Sequence, residues 1–156
     1  MDDMIAQSTA IVRGTVVDSW TALTGSVIYT HYKVQVSESF KGTRQSSIEV
    51  VVAGGVLNNR SQSFSGSPTL NKGDEFVFFL WTSRAGLTQV MGLTQGLFAI
   101  VPDGSADPMA TRTASHELML DPKTAQPVKD AMLSMHLSDL RSLIANSLKS
   151  SQGASQ

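Results

Sequence analysis

Three histidines, thirteen acidic residues and a dense population of serines are the groups in this chain that could do chemistry. His31, His116 and His136 share no short spacing of the kind that brings two imidazoles to one metal ion. His116-Glu117 is half of a metalloprotease helix motif, but Leu120 stands where the second histidine would be. A nucleophilic serine needs a base and usually the strained turn of a G-x-S-x-G elbow, which Ser65-Gly66-Ser67-Pro68 does not provide. Asp103, Asp107 and Asp121 each lie within two residues of proline or glycine, as turn acids do, and show no calcium-loop spacing. Asp74-Glu75 follows a turn. There is no cysteine, hence no thiolate nucleophile, thiolate metal site or disulfide. Catalytic, cofactor-binding and metal-binding residues are therefore not assigned.

The polar residues that stand out lie in one long interruption. Residues 53–73 hold Gly54, Gly55, Asn58, Asn59, Gly66 and Pro68, the chemistry of turns and loops. Long loops on rigid scaffolds often carry function. Gly54, Gly55, Asn58, Asn59, Arg60 and Phe64 form the candidate partner-contact loop. Its composition equally suits a disordered surface connection, and shortening it is expected to leave folding stability nearly unchanged. A second candidate face is Tyr29, His31 and Lys33, one side of the best-patterned strand, where His31 reads as a solvated strand histidine. Trp20 is a further candidate for exposure, whereas Trp81, Phe76, Phe78 and Phe79 read as core.

Short strands must position these residues. Alternation of apolar and polar residues is clearest over 27–38, with Ile28, Thr30, Tyr32, Val34 and Val36 on one face. Further strands are expected at 10–18, 46–52, 75–82, 87–93 and 97–101, with Trp20–Ser26 a connection and 102–113 turns. The expected inward set is Val12, Val16, Ile28, Val34, Val36, Ile48, Val50, Phe76, Phe78 and Leu80. A short helix opens the chain at 2–8. Another spans 138–148, with Ser138 as N-cap and Leu140, Leu143, Ile144 and Leu148 as its buried stripe. The expected fold is mostly β: a small five- or six-stranded OB-like barrel with a short N-terminal and a C-terminal helix. It occupies residues 1–149 as one domain, followed by a flexible tail at 150–156.

Ala10–Val17, Phe40-Lys41-Gly42, Gly54-Gly55, Lys72-Gly73-Asp74-Glu75-Phe76 and Leu93-Thr94-Gln95-Gly96 follow one another in a suggestive order. That order resembles an uncharacterised group of bacterial exported or lipid-anchored proteins. It is also similar to the netrin-like modules, including the N-terminal domain of tissue inhibitors of metalloproteinases, over residues 10–101. The resemblance implies a fold and little chemistry. The inhibitors act through an N-terminal cysteine, which this chain lacks, so inhibition is not carried over.

Composition narrows the class further. Charged residues are only 16%, while 21 serines and 13 threonines supply the polar share, a balance suited to an extracytoplasmic β protein. Lys and Arg are scattered and the net charge is −1, so nucleic-acid binding is not expected. No apolar run reaches the roughly 18 residues of a spanning helix. The N-terminus lacks the basic start and apolar run of a signal peptide, so Met1-Asp2-Asp3 is either a native start or a start behind a removed leader. The reading is a non-enzymatic, periplasmic or secreted interaction module binding a protein or glycan, without cofactor. The alternatives are an oligonucleotide-binding barrel and a hydrolase with an unrecognised site.

Overall fold

The computed structural model describes residues 1–42, 44–92, 94–112, 119–120, 124, 127–128 and 132–153. A helix α1 (Asp2–Gln7) is followed by β1 (Ala10–Thr24), β2 (Val27–Lys41), β3 (Ser47–Ala53), β4 (Gly55–Leu57) and β5 (Arg60–Gln62). Then come β6 (Glu75–Thr82), β7 (Thr88–Val90), β8 (Leu97–Val101), β9 (Met109–Arg112), β10 (Met119–Leu120), β11 (Pro127–Val128), β12 (Leu133–His136) and α2 (Leu137–Gly153). Eight strands form one antiparallel sheet in the order β12-β9-β8-β6-β1-β2-β3, with β7 paired to the far half of β6. β4–β5 and β10–β11 are separate two-stranded ribbons. The protein is thus mostly β with two helices, and no ladder among the described residues closes the large sheet into a barrel.

β1 runs well past its expected end. Thr24 pairs with Val27 around Gly25-Ser26, and Gly25 has φ 62°. A two-residue turn with glycine in the positive-φ first position suits the twist of a hairpin. The stretch 20–26 is therefore strand and turn rather than a loose connection. Register shifts at Ile11/Val12, Arg13/Gly14 and Val16/Asp18 bend the long hairpin.

The bent sheet has two cores. The inner one contains Val12, Val16, Tyr32, Val34, Val50, Val52, Phe78, Leu80 and Leu97, with Val36, Ile48 and Phe76 packed against it. Ile28 is also fully buried. On the other face Ile11, Val77, Phe79, Phe98 and Ala110 meet Ile5 of α1 and Leu137, Leu140 and Ile144 of α2. Two-sided burial is why Phe76–Trp81 lacks alternation. Trp81 is the exception: it is 45% exposed, so it lies outside the core to which its apolar strand assigns it.

α2 docks through the expected stripe, with Leu143 and Leu148 partly buried beside Leu140 and Ile144. It begins one residue before Ser138 and continues to Gly153, so residues 150–153 are helical rather than tail. Ser138 is not the cap. Its backbone N–H donates to Asp107 Oδ1 at 3.0 Å and its hydroxyl to Asp107 Oδ2 at 2.5 Å. An aspartate from the turn before β9 thus satisfies an orphan donor of the helix start. These Ser138 bonds hold the Asp107 carboxyl below the ordinary 3.8. A depressed carboxyl stabilises the fold above its unfolded pKa, and that contribution is lost as pH falls through the folded value. Asp107→Ala should lower the melting temperature at pH 7, and the gap from the parent should shrink below about pH 4. Thermal unfolding followed by circular dichroism across pH 2–7 checks this; a constant gap contradicts it.

Candidate functional site

The loop after β3 is a built structure. Gly54 and Gly55 take φ 109° and 137°, in the region that disfavours side chains. Gly54 N–H donates to Ile28 O at 2.7 Å, and Thr30 Oγ1 donates to Gly54 O at 2.8 Å. A Cβ on Gly55 would lie 2.6 Å from Thr30 Oγ1 and 3.0 Å from Thr21 Cγ2, so only glycine passes there unstrained. The chain then forms the β4–β5 ribbon about Asn58 and Asn59, at φ 51° and 65°. Two consecutive left-handed residues make the hairpin turn in which asparagine is favoured.

Gln62 clamps this ribbon to the tip of the β1–β2 hairpin. Its Oε1 accepts from Ile28 N–H at 2.8 Å and its Nε2 donates to Ser26 O at 2.9 Å. Thr21 Oγ1 donates to Val56 O at 2.9 Å. Further on, Leu70 is buried in the inner core and its N–H donates to Tyr32 Oη at 3.3 Å. The loop is therefore packing as well as connection, which revises the expectation that shortening it leaves stability unchanged.

Two clefts result. One, of about 320 Å³, lies between the hairpin tips and is lined by Leu23, Ile28, Leu57, Asn58 and Arg60. The other, of about 200 Å³, includes Thr30, Tyr32, Gly54, Gly55 and Phe64 in its lining. Val56 and Phe64 remain 63% and 43% exposed on the β4–β5 ribbon and the segment after it. The loop candidates are brought to one end of the molecule and split between these clefts, with Asn59 exposed at the turn.

The second candidate face lies elsewhere. Ile28, Thr30 and Tyr32 point to the inner side, so Tyr29, His31 and Lys33 project from the opposite face of β2. His31 is not solvated: its side chain is only 12% exposed. Trp20, its cross-strand neighbour, stacks on it with ring centres 5.5 Å apart and planes within 10°. Its Nδ1 lies 2.5 Å from Glu49 Oε1, while Nε2 is buried without a partner. Trp20 itself is 42% exposed, in keeping with its expected surface position. Gln62 and Glu49, which fix the two faces, carry no motif. Glu49 is legible only once strands 27–38 and 46–52 are placed in register, and Gln62 is not legible from that pairing.

The remaining polar clusters are structural. Asp103 Oδ1 accepts from Ser105 N–H at 3.0 Å and from its hydroxyl, which holds the Asp103 carboxyl below its ordinary value. Arg141 grips Glu38 with two bonds of 2.8 and 2.9 Å, tying α2 to β2 and raising the guanidinium pKa. Among the described residues no three His, Cys, Asp or Glu side chains gather as a metal site would require. His116-Glu117 and Asp121 lie outside the described residues. Among those described, no helix is long and apolar enough to cross a membrane. No family model, curated protein or solved structure matches this chain.

Proposed function

We propose that this chain is a non-enzymatic interaction module, exported from the cytoplasm, that binds a protein or glycan through the loop following β3. The observation that carries this reading is a combination: a ribbon held by Gln62 and two backbone-specific glycines nevertheless presents Val56 and Phe64 to solvent. A surface connection that needs no partner gains nothing from being both rigid and apolar. A binding surface gains twice, because apolar area drives association and prior ordering removes its entropic cost. Arg60 and Asn58 flank the apolar walls of Leu23, Ile28 and Leu57, supplying the few polar groups that orient a partner.

The sheet is read as a partly open barrel of OB type, similar to netrin-like modules. Support comes from one bent sheet wrapped on an inner core, and from Val51–Ala53 of β3 and Gln89 and Val90 of β7 lining one shared crevice. Oligonucleotide binding, the usual alternative for such a barrel, lacks clustered cations here.

Val56→Ser, Arg60→Ser and Phe64→Ser combined should leave the melting temperature within about 2–4 °C of the parent, because surface changes cost little. The triple variant should lose binding that the parent shows on a glycan array or to proteins captured from the native organism. A Tyr29→Ala/Lys33→Ala variant should keep it. Binding that survives the loop changes but not the strand-face changes contradicts the proposal and transfers the site to the opposite face.

A further inference from the structure

The far half of β1 is an edge that no strand among the described residues pairs on the side away from β2. β1 pairs β6 only from Ala10 to Thr15, and Val16 completes its bonds to Gly73 and Asp74. Beyond that point its one ladder partner among the described residues is β2. Thr24 and Val27 flank a two-residue turn and so form a hydrogen-bonded pair. Alternation then makes Ala22↔Tyr29 and Trp20↔His31 bonded pairs too. Ser19, Thr21 and Leu23 consequently aim their backbone groups away from β2. The Ser19 N–H is taken by Asp18 Oδ1 at 2.8 Å, while the other N–H and C=O groups of these residues have no backbone partner among the described residues. Ser19 and Leu23 are exposed.

Proteins protect such edges with lysine, proline, a bulge or a covering element. The segment 19–24, Ser-Trp-Thr-Ala-Leu-Thr, holds no charge and no proline, and its pairing to β2 is regular from Asp18 to Thr24. The residues on it are also self-complementary in size. Antiparallel pairing with an identical strand about Thr21 sets Thr21 against Thr21 and Ser19 against Leu23 as hydrogen-bonded pairs. On the outer face the same register sets Trp20 against Ala22. Each large exposed side chain, Trp20 at 42% and Leu23 at 51%, meets a small one. No like charges oppose each other, since Asp18 falls opposite Thr24.

We propose that this edge pairs with the same edge of a second copy across a two-fold axis at Thr21, joining two sheets into one. An isologous contact of this kind closes on itself and stops at two copies. It shares Leu23 with the cleft between the hairpin tips and sets Thr21, whose hydroxyl donates to Val56 O, at its axis, but its pairing groups belong to the β1 backbone rather than to the loop after β3.

The chain has no cysteine, so Thr21→Cys introduces a single thiol at the axis. Hydrogen-bonded antiparallel pairs bring Cα atoms to about 5.5 Å, within disulfide range. Mild oxidation of the full chain should convert Thr21→Cys to a covalent dimer at least tenfold faster than the exposed control Lys33→Cys. The parent should sediment as a dimer at high micromolar concentration, and Leu23→Lys should shift it to monomer with unchanged far-ultraviolet circular dichroism. Equal cross-linking of the two thiols, or a parent that stays monomeric at those concentrations, overturns the proposal. A monomer that instead takes up an extended peptide on this edge overturns it as well.

Discussion

Replacing Phe78 by alanine is expected to destabilise the protein by about 3–5 kcal/mol, the cost of lost burial plus the cavity left behind. Phe78 is fully buried, sits in the inner core and stacks edge-on to Phe76 with centroids 5.4 Å apart. Its strand is the middle of the sheet, paired to Val12 on one side and Leu97 on the other. Neither neighbour can follow a collapsing cavity without breaking a ladder, which places the cost at the upper part of that range. Urea unfolding should show a lowered midpoint with an unchanged slope. A loss below roughly 1 kcal/mol would show that the inner core is not close-packed around this ring.

Gly14→Val is the second large effect, at about 3 kcal/mol, the upper end of overpacking penalties. A Cβ at Gly14 would fall 2.5 Å from Val34 Cγ1 and 2.8 Å from the backbone oxygen of Gln35. One obstacle is a side chain that can turn; the other is backbone in the neighbouring strand and cannot yield without opening the ladder. The position coincides with a register shift between Arg13 and Gly14, where β1 bends over β2. Gly14→Val should therefore melt far below Arg13→Ala, whose guanidinium only pairs with Glu75 at 3.2 Å across a partly exposed bridge. Comparable melting temperatures for the two variants would remove close strand approach as the reason for this glycine.

The fold was legible where burial is one-sided or the turn signal local. Alternation over 27–38 placed Ile28, Val34 and the polar side correctly, and Leu97–Val101 and Glu75–Thr82 match their expected bounds. The tip of the β1–β2 hairpin was missed although Gly25-Ser26 is a hairpin dipeptide, because the flanking Ser and Thr residues look like loop while being strand formers as well. The register shift at Val16/Asp18 also breaks the period there, so counting faces along 10–24 fails. β9 lies in the turn-rich stretch 102–113, and β12 is four residues directly before α2. They are short strands, β12 paired to β9 and β9 to β8, and that information is not local.

The candidate site was legible as a segment but not as an object. Asn58-Asn59 could have been read as a left-handed hairpin turn, which would have split the loop into β4 and β5. The clamp by Gln62 could not, since it depends on an amide reaching Ile28 and Ser26 across 34 and 36 residues. Helix α2 shows the same limit: Ser138 has the right residue type for a cap, yet Asp107, 31 residues earlier, does the capping. The exposure of Trp81 likewise depends on what covers the outer face of β6 at that level.

Native-state hydrogen exchange of individual amides reads out the rigidity proposed for the loop after β3. Protected amides at Ile28, bonded to Gln62 Oε1, and at Gly54, bonded to Ile28 O, are the predicted result. Asn58 and Asn59 at the open turn should exchange fast. Gln62→Ala should release Ile28 while leaving core amides such as Phe78 protected. Unprotected exchange at both Ile28 and Gly54 in the parent protein would contradict the account, because a loop that opens freely has no ordered surface to present.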